Sequence, residues 1–304
     1  MGNRPAAKRE RVPMDSFKLG DAEVRRVEQL RAKMPIAGFG ASDELIDHHA
    51  SWLFPDWADA DRNWDMVLQT WIVIADGRVT VVDPCVGNLR PLPDFPLFDM
   101  LDIPFIDRME SAGVKPGDVD QVYCTHLHSD HCGWNTCLRD GRYVPTFPKA
   151  RYYMAQTEVD RWDFRRSDYQ HVPANAGVFE NSVLPVIEAG QAELIPGDFR
   201  ISESLLVEPT PGHTKGHTAL HLTSAGKHGW FTGDTFHHPL ELLHPELDAR
   251  TCEDYEQTVA TRRRLIADFV KHDGLVIPAH FAEPHAGHVR DDKAERRFVP
   301  LGRN

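Results

Sequence analysis

The sequence predicts one mixed α/β domain, and three observations predict it. Short β-rich runs recur along the chain and end in turn or polar residues: Gln121-Val122-Tyr123-Cys124, Leu205-Leu206-Val207, Gly229-Trp230-Phe231 and Leu275-Val276-Ile277. One long stretch, 253–271, has the apolar spacing of an amphipathic helix. A length of 304 residues with 41% hydrophobic content suffices for a single substantial core, and no internal repeat or low-complexity segment breaks it up.

Taken in order, residues 1–35 are highly charged and are expected to form a loose arm, with a short helix over 22–33. The rest, 36–304, is expected to be the domain. Its first segment, 36–65, carries Phe39, Trp52, Phe54, Trp57 and Trp64 between turn residues. That is too aromatic for a solvated linker, so the segment should pack on the domain, cap a site or join a partner subunit in a homodimer. Runs 66–74 and 79–82 flank Ala75-Asp76-Gly77-Arg78, and an Asp-Gly between β-rich runs predicts a hairpin. A helix is expected over 105–111, stopping at Gly113, then a loop over 139–149 and a strand over 150–154. Runs 157–165 and 178–189 read as helices, the second kinked at Pro185. Strands follow over 193–195, 205–208, 218–222 and 227–232. In the helix 253–271, Tyr255, Val259, Ile266, Phe269 and Val270 share one face, Thr251 with Asp254 resembles a capping box, and Gly274 ends it before the last strand.

The chemistry is concentrated in Thr125-His126-Leu127-His128-Ser129-Asp130-His131, three imidazoles and a carboxylate directly after a strand-like run. Neutral imidazole and carboxylate suit zinc and its first-row neighbours. Side chains two apart on extended backbone point the same way, so His126 and His128 can grip one ion while Asp130 and His131, on the following turn, face a second. Three further motifs each place one such side chain just past a probable strand: Pro211-Gly212-His213-Thr214, Gly233-Asp234 and Pro278-Ala279-His280. Loops held by a rigid sheet are where chemistry usually sits.

Together with Val82-Asp83, these residues resemble the metallo-β-lactamase-fold hydrolase superfamily, with the motifs in family order over residues 66–281. The resemblance implies a four-layer αβ/βα sandwich with metals at one edge. It implies that His126, His128 and His213 hold one metal, that Asp130, His131 and His280 hold another, and that Asp234 bridges them. Asp83 would orient a ligand histidine, and His217 would be structural rather than a ligand. Two divalent ions, zinc first, with iron, manganese or cobalt as alternatives, would acidify a shared water, and the bridging hydroxide would attack a carbonyl without any Ser or Cys nucleophile. Asp130 would carry a proton to the leaving group.

Within the superfamily the chain most resembles the lactonase-like branch of acyl-homoserine lactonases and organophosphate-hydrolysing relatives, so a lactone or ester is the expected substrate. Such lactonases often carry Tyr three residues after the bridging Asp; here it is His237, a candidate donor to a carbonyl oxygen or a residue beside the site. Trp134 and Phe236 are candidates for a pocket wall, which would suit a substrate with an apolar acyl or aryl portion, or else they pack in the core. A β-lactamase-like amide hydrolase and a glyoxalase-II-type thioesterase are the competing hydrolases; a mononuclear iron sulfur dioxygenase and a catalytically silent binding module are competitors of other classes.

Composition narrows the partners. A formal charge of −12 disfavours nucleic acid. No apolar run approaches the ~20 residues that span a bilayer, so no membrane association is expected. The first eleven residues are basic without a signal-peptide apolar stretch, and the expected location is cytoplasmic. Cys85, Cys124, Cys132, Cys137 and Cys252 form no CxxC pair and read as packed thiols. His48, His49, His285 and His288 have no partner pattern and read as surface residues.

Overall fold

A computed structural model of the chain describes residues 15–247, 251–291 and 296–302. Its first sheet begins with β1 (Ser16–Leu19) and β2 (Ala22–Pro35), antiparallel neighbours, and continues through β3 (Asn63–Ala75) and β4 (Arg78–Val82) to β5 (Gln121–Tyr123). A separate hairpin, β6 (Thr136–Arg139) with β7 (Arg142–Pro145), follows before β8 (Arg151–Ala155) and β9 (Ala192–Ile195) complete the sheet in the order β1-β2-β3-β4-β5-β8-β9. Strands β10 (Phe199–Arg200), β11 (Leu205–Pro209), β12 (Thr218–Ser224), β13 (Lys227–Phe231), β14 (Leu275–Ile277), β15 (Gly287–Asp291) and β16 (Arg296–Pro300) form the second sheet, in sequence order.

Alternation along β3 shows how the layers form. Trp71 and Val73 face the other sheet, meeting Leu220, Leu222, Phe231 and Ile277 in one buried cluster. Leu68 and Ile72, on the opposite face, enter a second cluster with α3 (Phe105–Ser111) and α5 (Gln156–Trp162). The outer face of the second sheet, with Trp230, Val276 and Val289, is covered by Leu265, Ile266 and Phe269 of α8 (Tyr255–His272). The order helix, sheet, sheet, helix is the four-layer sandwich.

The Asp76-Gly77 hairpin, the helix over 105–111 and the strand preceding His126 form as expected. Elsewhere the structure departs from expectation. The run 22–33 is strand, not helix, and Ser16–Pro35 is a sheet-bound hairpin, not a loose arm; residues 1–14 of that arm lie outside the described residues. The stretch expected as a loop over 139–149 contains β7. Helix 178–189 is a π-helical turn over Phe179–Val183 running into α6 (Leu184–Glu188). Helix α8 is capped by Asp254, which accepts the Gln257 N–H, and Tyr255 and Val270 stay largely outside its buried face. Strands β15 and β16 were not expected at all.

The aromatic segment 36–65 packs on its own domain: Ile36, Phe39, Trp57 and Trp64 are buried with Trp230, Phe236, Leu240 and Phe281. It contains α1 (Asp43–His48) and α2 (Ala50–Leu53). Two of the expected surface histidines are buried. His49 faces His244 and accepts the Trp52 indole N–H, and His285 donates to the Phe281 carbonyl. Among the described residues no helix is long and apolar enough to cross a membrane.

Candidate metal centre

Loops from both sheets converge at one edge. Asp83 follows β4, His126 follows β5, His213 follows β11, Asp234 follows β13 and His280 follows β14. His131 lies on the short helix α4 (Ser129–Cys132), after which the Gly133 and Trp134 N–H groups donate to the Cys85 and Pro84 carbonyls of the loop that carries Asp83. The close approach before Asp234 requires glycine: Gly233 has φ +48°, and a Cβ there would stand 2.5 Å from Thr125 Oγ1 and 2.7 Å from His217 Nε2.

The donor atoms form two groups, His126–His128–His213–Asp234 and Asp130–His131–His280, each within 4.8 Å. In the first, His128 Nδ1 lies 3.0 Å from both His126 Nε2 and His213 Nε2. Asp234 Oδ2 is 3.3 Å from His213 Nε2 and 3.9 Å from His126 Nε2. Four ligands placed tetrahedrally at zinc bond lengths are about 3.3 Å apart, so separations of this size could accommodate an ion. In the second group, the other oxygen of the same carboxylate, Asp234 Oδ1, is 3.1 Å from His131 Nε2 and 3.0 Å from His280 Nε2. Asp130 Oδ2 stands 3.7 and 3.6 Å from those two nitrogens. Among the described residues, Asp234 Oδ1 and His131 Nε2 are buried and lack a hydrogen-bond partner of good geometry. Buried polar atoms are normally satisfied; two such acceptors side by side among further imidazoles fit a cation.

The surroundings set each imidazole's tautomer. Thr125 donates its N–H and its hydroxyl to Asp83, so its oxygen accepts from His126 Nδ1–H and leaves Nε2 as the free donor atom. His280 Nδ1–H donates to the Val67 carbonyl at 3.0 Å, which likewise frees Nε2. Asp83 Oδ2 also sits 3.1 Å from His131 Nδ1. This is how partners behind a metal site fix ring orientation. Burial, reinforced by neighbouring imidazoles, pushes the pKa values of His126 and His213 well down, favouring the neutral ligating form.

His217 is turned away from both groups. Its Nδ1 meets Thr210 Oγ1 at 2.7 Å, and its Nε2 accepts the Asp234 backbone N–H at 3.2 Å. Both nitrogens are occupied, and burial lowers its pKa to about 3. His237 comes closer than its sequence position requires: Nε2 is 3.2 Å from Asp234 Oδ2, and Nδ1 is 3.5 Å from Glu241 Oε2. Burial opposes its protonation, but the Asp234 and Glu241 carboxylates outweigh this and raise its pKa to about 10. The ring also stacks on Phe39 from the aromatic segment.

Trp134 and Phe236, the two pocket-wall candidates, both pack in the core, the alternative the sequence left open. Trp134 stacks on Phe105 with centroids 5.3 Å apart, inside the core beneath the first sheet. Phe236 is fully buried against Phe269 and the Arg262 guanidinium. Among the described residues, Phe39, from the segment expected to pack on the domain or cap a site, lies near His237, and Trp162, which was not singled out from the sequence, lies near His128. The cysteines are free thiols, with Cys85, Cys124 and Cys132 buried. Cys252 Sγ stands 3.9 Å from His213 Nδ1, a contact its sequence position did not reveal.

An αβ/βα sandwich with such a donor cluster at its edge defines a class of metal-binding proteins, and the sequence comparison names the family. The metallo-beta-lactamase superfamily profile matches residues 62–280, well over half of the chain, and the chain belongs to that superfamily. A probable metallo-hydrolase of Mycobacterium tuberculosis is 26% identical over 141 residues, 43% of this chain and 41% of the relative. An N-acyl homoserine lactonase of a Bacillus species is 24% identical over 38% of this chain and 37% of its own length. The chain thus matches about two-fifths of the length of these curated relatives. Among solved structures, a hydrolase of the beta-lactamase superfamily named AbOPH superposes with a TM-score of 0.79 at 22% identity, covering 95% of this chain and 97% of its own. The dizinc quorum-quenching lactonase AidC gives 0.74 at 16% identity, covering 94% and 96%. These likenesses show the fold.

Proposed function

We propose that the chain is a dinuclear-metal hydrolase acting on a lactone or carboxylic ester. The observation that carries the reading is Asp234, whose two carboxylate oxygens each face a separate set of imidazoles. A single-ion site would need only one of them. Bound at these donors, a pair of divalent ions such as zinc supplies Lewis-acid polarisation of a carbonyl and acidification of water.

The chain's own groups have distinct parts. His126, His128 and His213 would hold one ion, Asp130, His131 and His280 the other, and Asp234 would be shared. Asp83 holds Thr125 and faces His131, and His217 fixes the Asp234 peptide. Asp130 is the more accessible of the two donor-group carboxylates, with 14% of its side chain exposed against 6% for Asp234, and is the group that holds and returns a proton to the departing oxygen. His237 stands beside Asp234 as a donor toward a substrate carbonyl oxygen. Phe39 and Trp162, lying next to the centre, favour a substrate with an apolar acyl or aryl portion. Relatives named as lactonases, one solved with N-hexanoyl-homoserine product, support the substrate class.

The test is a hydrolysis screen of zinc-loaded protein over lactones, aryl esters, β-lactams, thioesters and phosphotriesters, alongside metal analysis. Rates on lactones or esters exceeding the others by orders of magnitude are expected. Preference for β-lactams or thioesters would replace the substrate class. Oxygen uptake with a persulfide and no hydrolysis would replace the reaction.

A further inference from the structure

Glu158 is 1% exposed and, among the described residues, is paired with no cation. Burying a carboxylate in this way is costly unless donors surround it. They do. Oε2 accepts the Leu127 N–H at 3.1 Å and the Trp162 indole N–H at 2.9 Å, and Oε1 accepts the Gly216 N–H at 2.9 Å.

Those donors are placed informatively. Leu127 lies between His126 and His128, and Gly216 lies between His213 and His217. One carboxylate therefore ties together the two loops that bring three imidazoles to the first donor group. The peptide on the other side of Leu127 is held as well, since Asn175 Nδ2 donates to the Leu127 carbonyl at 3.0 Å. The loop around Gly216 rests directly on the start of α5: a Cβ at Gly216 would stand 2.6 Å from the Glu158 nitrogen. Trp162, one turn after Glu158 on α5, sets its ring 5.3 Å from that of His128.

We propose that Glu158 is a positioning residue of the metal centre, the clasp that fixes the His126–His128 loop against the His213 loop at ligating distance. It touches no donor atom and acts through the backbone on either side of them. The proposal rests on the metal-binding reading above.

Glu158→Gln tests it, because the amide keeps the shape but turns one acceptor into an NH2 group that meets an N–H donor. One of the two loops then loses its anchor. The readouts are zinc affinity by chelator competition and the visible spectrum of the cobalt-loaded protein, which reports ligand geometry. We expect zinc binding weakened by about tenfold or more, the range for changes behind a metal site, and an altered cobalt spectrum. A lowered melting temperature with unchanged affinity and spectrum would mean that Glu158 serves the fold alone and would overturn the proposal. If Glu158→Gln does not fold, Gly216→Ala tests the same contact from the loop side, and unchanged zinc affinity there overturns the proposal equally. Wild-type protein measured in parallel separates the two readings: if it binds no metal, the metal-centre assignment itself falls.

Discussion

Glu241 gives the metal edge its most quantitative stability test. It lies on the short helix α7 (Pro239–Leu243), fully buried, as is its partner Arg262 on α8. Its Oε1 accepts from Arg262 Nη2 at 2.5 Å, and its Oε2 accepts the backbone N–H groups of His237 and His238. Burial alone would raise its pKa, but the Arg262 and His237 charges outweigh burial and hold it at about 2 against an ordinary 4.5. At about 1.4 kcal/mol per pKa unit, this corresponds to about 3 kcal/mol. Removing one partner of a buried ion pair gives a similar figure, about 3–5 kcal/mol. Because the folded-state pKa is depressed, this stability is fully present above the unfolded value and is lost as pH falls through the folded one. Glu241→Gln is therefore expected to lose about 3 kcal/mol in urea unfolding at neutral pH. The gap to wild type should narrow as pH falls from about 4.5 towards 2. A loss below about 1 kcal/mol at neutral pH, or a gap of constant size down the acid limb, would refute the reasoning.

Two further outcomes follow from the site. Asp234→Ala removes the carboxylate shared by both donor groups, so dialysed protein is expected to retain fewer than two ions per chain by elemental analysis and to lose hydrolysis; two tightly held ions would refute bridging. Trp134→Phe alters the core and not a pocket, so it is expected to cost about 1–3 kcal/mol of stability while leaving KM for the best screened substrate unchanged; a several-fold rise in KM would return Trp134 to the pocket wall.

The misreading of 22–33 has a definite cause. In a regular strand the buried residues alternate, but β2 changes register against β3 between Glu28 and Leu30. Arg26 and Val27, consecutive residues ahead of that shift, are both buried because the sheet is covered on both faces, and the bulge then brings Leu30 onto the Val27 side. Val24, Val27 and Leu30 then recur every three residues, which imitates a helix. Charge adds to the disguise: Arg26 is buried in a strand because Asp15 and Glu28 flank it with carboxylates and Gln69 accepts from it across the sheet. Only Glu28 is close in sequence; Asp15 and Gln69 lie 11 and 43 residues away. The strands carrying the donor residues were legible for the opposite reason, being short apolar runs buried on both faces and cut off by His, Asp or Gly.

The same contrast runs through the site. Donor residues could be picked out because a metal demands particular atoms, and those residue types are rare together. What holds the donors in place could not, because Glu158 reaches the two donor loops through backbone N–H groups that every residue but proline has, and any sequence supplies them. The available signal was an acid between Gln156 and Trp162 in a helix whose Val159 and Trp162 face inward, and an acid on an apolar face must be satisfied or lost. Proximity in sequence misled in turn. Trp134 and Phe236 follow the donor motifs by three and two residues, yet each lies in a turn that carries its ring into a core. The aromatic neighbours of the centre come instead from distant segments, Phe39 from the region before the first donor motif and Trp162 from α5. Substrate selection on this scaffold is therefore expected to follow changes in residues 36–65 and in α5 more than changes beside the metal motifs. Exchanging Phe39 for Leu should shift the relative kcat/KM of short- and long-chain lactones while leaving zinc content intact; chain-length preference that does not move would place the selecting surface elsewhere.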